Sequence, residues 1–138
     1  MASKIILDTN VVLDYFLERP DFAEDTHRLF QTSRQTYELC ITSHTVSDIY
    51  YLSRSSFETH ALLKEKLDNL YSFVKILDVN EADCKKALMS NVSDYEDAIL
   101  AECALRHKAV AIITRDNNDF KNAKVSNYSP KEFLKNDN

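Results

Sequence analysis

Short apolar runs alternate along this chain with segments of helical periodicity, and that alternation constrains the fold more than any other feature. Lys4 to Leu7 reads as a buried strand that ends at Asp8. Glu38 to Thr42, Phe73 to Leu77 and the very apolar Val110 to Thr114 read as three more. Between the first two, Asn10 is expected to cap a helix through Val11, Val12, Tyr15 and Phe16 to about Glu18, with Pro20 as its stop. A second helix is expected from Phe22 to about Ser33, packing Phe22, His27, Leu29 and Phe30. Ser43 starts a helix through Val46, Ile49, Tyr50 and Ser53, and His60 to Tyr71 carries Leu62, Leu63, Leu67 and Leu70 at helical spacing. Asn80 opens a helix through Cys84, Ala87 and Leu88. Ser93 and Glu96 match a capping box for a helix through Ala98, Ala101, Ala104 and Leu105. A weak strand is expected near Lys124 to Ser126. Ser129, Pro130 and Glu132 then set up a last helical turn through Phe133 and Leu134, followed by a frayed tail from Lys135 to Asn138. Such alternation implies an α/β fold over residues 1–138 as one domain, with a central parallel sheet covered on both faces.

Composition removes several functions. The 138 residues include no glycine, which excludes glycine-rich phosphate loops and leaves tight turns to Asn, Asp, Ser or Pro. The three cysteines, Cys40, Cys84 and Cys103, form no C-x-x-C pair and read as reduced core residues of a cytoplasmic protein. The N-terminus lacks a long apolar segment of the signal-peptide kind, and no apolar run approaches a membrane span. The formal net charge of −5 lacks the basic footprint of a non-specific nucleic-acid binder, unless acids converge on bound cations.

The carboxylates carry the chemistry. In an open parallel α/β sheet, ligands gather outside the carboxyl ends of the strands. Asp8 ends the first strand and Asp116 lies just past the fourth, so the two meet if those strands are neighbours. Asp97 lies in the first turns of the helix before the fourth strand, with Asp94 three residues earlier. Asp48 lies about one turn into the helix after the second strand. Carboxylate and water oxygens suit Mg²⁺ or Mn²⁺, which activate water and stabilise charge on a phosphate. Glu96 reads as a capping residue and Asp119 as part of a polar turn. Lys108, Arg115 and Lys121 flank the fourth strand as phosphate contacts or as solvated charge. Tyr50 and Tyr51 read as core more readily than as base-stacking residues. His27, His44, His60 and His107 show no ligand spacing and read as surface or core residues.

Four segments in order, I-I-L-D-T-N-V-V-L-D from Ile5, I-T-S-H-T-V-S-D-I-Y-Y-L with Asp48, S-D-Y-E-D-A-I-L-A-E-C-A with Asp94 and Asp97, and A-I-I-T-R-D-N-N-D-F with Asp116 and Asp119, resemble the PIN-domain family of metal-dependent nucleases. The closing Y-S-P-K-E-F-L is similar to the end of one branch. The resemblance implies a three-layer α/β/α fold and Mg²⁺- or Mn²⁺-dependent hydrolysis of RNA phosphodiesters. It implies a metal held by Asp8, Asp97 and Asp116, with Asp48 as the second acid, a position more commonly Glu. Asp94 and Asp119 are second choices, and Thr9, Asn10 and Thr114 are expected to orient the acids. A chain of this size is similar to VapC-type toxins, which implies an endoribonuclease toxin, a homodimer, an antitoxin protein as partner and RNA as substrate.

Two other readings compete. An aspartyl-phosphate phosphatase of the haloacid dehalogenase kind needs Asp-x-Asp after its strand, and Asp8-Thr9-Asn10 supplies asparagine instead. A non-catalytic RNA- or protein-binding module on a PIN fold would keep the architecture without the chemistry.

Overall fold

The structure is a computed structural model and describes residues 2–136. Five strands, β1 (Ser3–Leu7), β2 (Tyr37–Thr42), β3 (Lys75–Leu77), β4 (Ala111–Ile113) and β5 (Asn127–Tyr128), form one sheet in the order β3-β2-β1-β4-β5. Every neighbouring pair is parallel. The order runs outward from β1 through β2 to β3, then restarts on the other side of β1 with β4. The β1/β4 boundary is therefore a topological switch point, where an open parallel sheet splits to leave a crevice.

Among the described residues, seven α-helices cover the sheet: α1 (Thr9–Phe16), α2 (Ala23–Ser33), α3 (Ser43–Ser53), α4 (His60–Tyr71), α5 (Glu81–Leu88), α6 (Tyr95–Arg106) and α7 (Pro130–Asn136). Alternate strand residues point to opposite faces, and both faces are apolar here. Ile5, Leu7, Leu39, Ile41, Ala111 and Ile113 pack with Val12, Leu29, Ile49, Leu67 and Phe133 of α1, α2, α3, α4 and α7. Ile6, Cys40, Leu77 and Ile112 pack against Ala87 of α5 and Ala98, Ala101 and Ala104 of α6. The result is the expected α/β/α sandwich. No helix among the described residues is long and apolar enough to cross a membrane.

Several local expectations are corrected. The last strand is Asn127–Tyr128 rather than Lys124 to Ser126, in register with Ile112 and Ile113. Helix α1 is capped by Asp8, whose carboxylate accepts from the Thr9 amide, and not by Asn10. Helix α6 is capped by Asp94, which accepts from the Asp97 amide at 3.0 Å, so the Ser93–Glu96 box does not form. The Ser129–Glu132 box does form, with reciprocal bonds of 2.9 and 3.1 Å. Lys135 and Asn136 belong to α7, while the rest of the expected tail lies outside the described residues.

A glycine-free chain must also end its helices without the usual left-handed residue. Glu18 (φ 49°) and Lys108 (φ 60°) take that position. Each closes a Schellman motif: Glu18 and Arg19 donate to the carbonyls of Tyr15 and Asp14, and Lys108 and Ala109 donate to those of Leu105 and Ala104. A Cβ in this region costs about 1–2 kcal/mol per residue. Glu18→Gly and Lys108→Gly are each expected to stabilise the fold by about 1 kcal/mol in urea titration. A loss of stability in both would show that the side chains contribute more than the strain removes.

Candidate metal centre

The acids sit at the carboxyl end of the sheet, around the switch point. Asp8 follows β1, and its amide donates to the Ile113 carbonyl at 2.9 Å, extending the β1–β4 ladder by one bond. Its side chain is 8% exposed. One carboxylate oxygen accepts from the Thr9 amide and the other from the Thr114 hydroxyl, each at 2.9 Å. That same hydroxyl accepts from the Asp116 amide at 2.9 Å. Thr114 is fully buried and so ties together two acids from distant parts of the chain. Of the three residues expected to orient the acids, Thr114 does so through its hydroxyl and Thr9 through its backbone. The Thr9 hydroxyl instead meets that of Thr45, at 3.2 Å.

Asp8, Asp48, Asp97 and Asp116 line one cleft of about 220 Å³, together with Thr9, Asn10, His44, Thr45 and Glu96. The structure therefore brings together all four sequence-predicted acids. Asp94 and Asp119 do not line the cleft but lie close enough to act on it electrostatically. Burial pushes the Asp97 carboxyl up to about 7, helped by the charges of Asp8, Asp94, Asp119 and Asp116. Asp8 is also raised, chiefly by burial, against the lowering effect of its Thr114 and Thr9 hydrogen bonds. Among the described residues no lysine, arginine or histidine forms an ion pair with Asp8, Asp97 or Asp116. Converging carboxylates without a cationic partner form the donor set that a hard divalent ion neutralises.

The flanking basic residues do not reach this cleft. Arg115 turns the other way: its Nε donates to Asp14 Oδ2 at 2.6 Å, and its guanidinium lies 3.8 Å from the Phe22 ring centroid. Lys108 precedes β4 and thus belongs to the opposite end of the sheet from Asp116. Two residues read from sequence as bystanders do line the cleft. His44 Nε2 lies 3.4 Å from Asp48 Oδ2 and 3.8 Å from Glu96 Oε1. The i,i+4 spacing of His44 and Asp48 on α3 is a signal the sequence does carry.

Residues 4–118 match the PIN domain. The chain belongs to the PIN-domain family. Solved PIN-like structures superpose on most of it. FitAcB from Neisseria gonorrhoeae aligns with a TM-score of 0.71 at 22% identity, over 92% of this chain and 98% of that one. VapBC2 from Rickettsia felis, bound to a DNA fragment from its promoter, aligns at 0.69 and 17%, over 91% and 98%. The sarcin-ricin loop cleaving toxin VapC20 from Mycobacterium tuberculosis aligns at 0.63 and 13%, over 78% and 86%. At these identities the likeness is one of fold. No curated protein matches the chain in sequence.

The crowding of carboxylates in this PIN domain has a measurable sign. An acid whose pKa rises on folding makes the folded state bind the extra proton, so stability falls as pH rises through the interval between the two values. For Asp97 that interval runs from its ordinary 3.8 to about 7. Metal-free protein is expected to melt at a higher temperature at pH 5.5 than at pH 8. Asp97→Asn should flatten this dependence and raise melting at pH 8 by roughly 5 °C, after allowance for solvent screening. Equal melting of the two proteins at pH 8 would show that Asp97 is not held against its neighbours' charge.

Proposed function

We propose that this PIN domain, as a single nuclease unit, is a metal-dependent endoribonuclease and the toxin of a type II toxin–antitoxin pair. The observation that carries the reading is the convergence of Asp8, Asp97 and Asp116 on one cleft at the switch point of a PIN-domain sheet. In this reading Asp8, Asp97 and Asp116 hold Mg²⁺ or Mn²⁺. Asp48 assists from α3, and Asp94 and Asp119 add negative charge from outside the cleft. When bound, such an ion supplies a water of lowered pKa and positive charge facing the scissile phosphate of RNA. The chain's own part is to hold the carboxylates still. The Thr9 amide and the Thr114 hydroxyl fix both oxygens of Asp8, and the Asp116 amide on Thr114 sets the approach of the next acid.

A homodimer inhibited by an antitoxin, in the cytoplasm, completes the proposal. VapBC2, FitAcB and a toxin-antitoxin complex from Klebsiella pneumoniae, 19% identical to this chain with a TM-score of 0.69, support the partner by likeness of fold. The test is incubation of mixed cellular RNA with the protein in Mn²⁺ or Mg²⁺ and in EDTA. Cleavage is expected with either ion and none with EDTA. Cleavage that persists in EDTA would overturn metal dependence. No cleavage under any condition would favour a non-catalytic PIN-fold binding module.

A further inference from the structure

Asp14 is an acid with no exposed surface. Arg115 Nε donates to its Oδ2 at 2.6 Å and Arg115 Nη2 to its Oδ1 at 3.3 Å, and Arg19 Nη1 reaches the same Oδ1 at 3.3 Å. We infer that Asp14 and Arg115 are positioning residues of the metal centre, and that their ion pair fixes the Asp116 carboxylate relative to Asp8. The inference rests on the metal reading of the cleft given above.

Connectivity makes the pair a second tie between the two acids. Asp8 caps α1, and Asp14 lies in that same helix. Arg115 directly precedes Asp116. The path from Asp8 along α1 to Asp14, across to Arg115 and on to Asp116 is closed into a ring by Thr114, whose hydroxyl donates to Asp8 and accepts from the Asp116 amide. The Thr114 contact alone would leave the chain free to pivot about one bond. Among the described residues, neither the amide nor the carbonyl of Arg115 takes part in a backbone hydrogen bond. The chain bends at Arg115, between β4 and the 3₁₀ turn Asn117–Phe120. The side chain therefore supplies the restraint that the backbone lacks, and the Phe22 ring against its guanidinium limits its rotation.

Stability is a poor account of the pair. Two charges taken out of water are often no better than apolar side chains of similar volume, and can be worse. What an arginine–carboxylate fork adds is direction, because two contacts fix an angle as well as a distance. Site geometry must be held to within about 0.5 Å, and contacts that support metal ligands from outside change metal affinity about 10–100-fold.

The test is the Mn²⁺ affinity of the full chain, read from the electron paramagnetic resonance signal of free Mn²⁺, beside its melting temperature. Asp14→Leu with Arg115→Met removes both charges together. This double variant is expected to stay folded and to bind Mn²⁺ at least tenfold more weakly. Arg115→Lys keeps the charge without the fork and should weaken binding by a smaller factor. Arg106→Ala strands a second buried acid, Asp83, at the end of α6 remote from Asp97. It should lower the melting temperature and leave Mn²⁺ affinity unchanged. Wild-type affinity in the double variant, or in Arg115→Lys should the double variant not fold, would overturn the inference. An equal loss of affinity in Arg106→Ala would also overturn it, by making the pair a general support of the fold. No Mn²⁺ binding by the unsubstituted chain would overturn the metal reading itself, and this inference with it.

Discussion

Asp8→Asn is expected to lower RNA cleavage by at least a thousandfold while leaving the protein folded. The reasoning starts from burial. Asp8 is 8% exposed, and both its oxygens accept hydrogen bonds from groups fixed by the sheet. Asparagine has the same shape and keeps one acceptor oxygen for the Thr9 amide. Its NH₂ group then faces Thr114, whose hydroxyl oxygen can accept it. Burial already pushes the Asp8 carboxyl toward its neutral form in the metal-free protein, so a neutral isostere adds no strain. On the proposed function, however, a divalent ion would lose a charged ligand at the buried centre of its site. Lost electrostatic stabilisation at a reacting phosphate is on the order of 10²–10³ for even a single donor. The check is cleavage rate alongside melting temperature. Full activity in the substituted protein would remove Asp8 from the chemistry. Lost activity together with a collapsed melting temperature would make it a folding residue instead.

The largest stability effect is expected at Arg115. Asp14 lies on α1, with no exposed surface, and is held by Arg115 through contacts of 2.6 and 3.3 Å and by Arg19 at 3.3 Å. Removing one partner of a buried pair leaves a charge uncompensated, which costs about 3–5 kcal/mol. Arg19 remains beside Asp14 in Arg115→Ala, so the lower end of that range is expected. Thermal unfolding should drop by roughly 10 °C. Arg115→Lys should recover only part of this, because lysine lacks the fork that meets both oxygens and the planar group that lies over Phe22. The paired substitution Asp14→Leu with Arg115→Met should recover most of it, since no orphaned charge is left. Similar losses in the double and single variants would show that the ion pair itself, rather than the stranded charge, holds α1 to the end of β4.

Much of this arrangement is legible in the sequence. The apolar runs before Asp8 and Asp116 are buried on both faces, so they read clearly as strands with polar ends. The parallel sheet followed from alternation, and the match to the PIN domain agrees with the four motifs. What was missed has physical causes. Strand β5 is two residues long and half-polar, so its position is set by pairing with Ile112 and Ile113 rather than by its own pattern. Ser93 and Asp94 both could have capped α6. Asp94 does so, as a charged acceptor that also complements the helix N-terminus, and Glu96 is thereby released. Arg115 adjoins Asp116 in sequence, yet the chain bends at Arg115, after the end of β4, and its side chain reaches Asp14 instead of the cleft. Adjacency therefore suggested the cleft where geometry gave the reverse. The pairing of Glu96 with His44 depends on how α6 is rotated against α3, which no local pattern contains.

The switch point also imposes an order of events during synthesis. Thr114 and Asp8 hydrogen-bond across 106 residues of sequence, and β1 meets β4 only after α1 through α6 have been made. Contacts of such long range form late, and they carry a large loop-closure penalty until the intervening elements pack. A nascent chain that has made β1, β2 and β3 therefore has three of the five strands and only Asp8 and Asp48 of the four cleft acids, but no cleft. Whatever chemistry the assembled acids perform, it arises only once β4 has been made, and a chain cut short before β4 carries none of it.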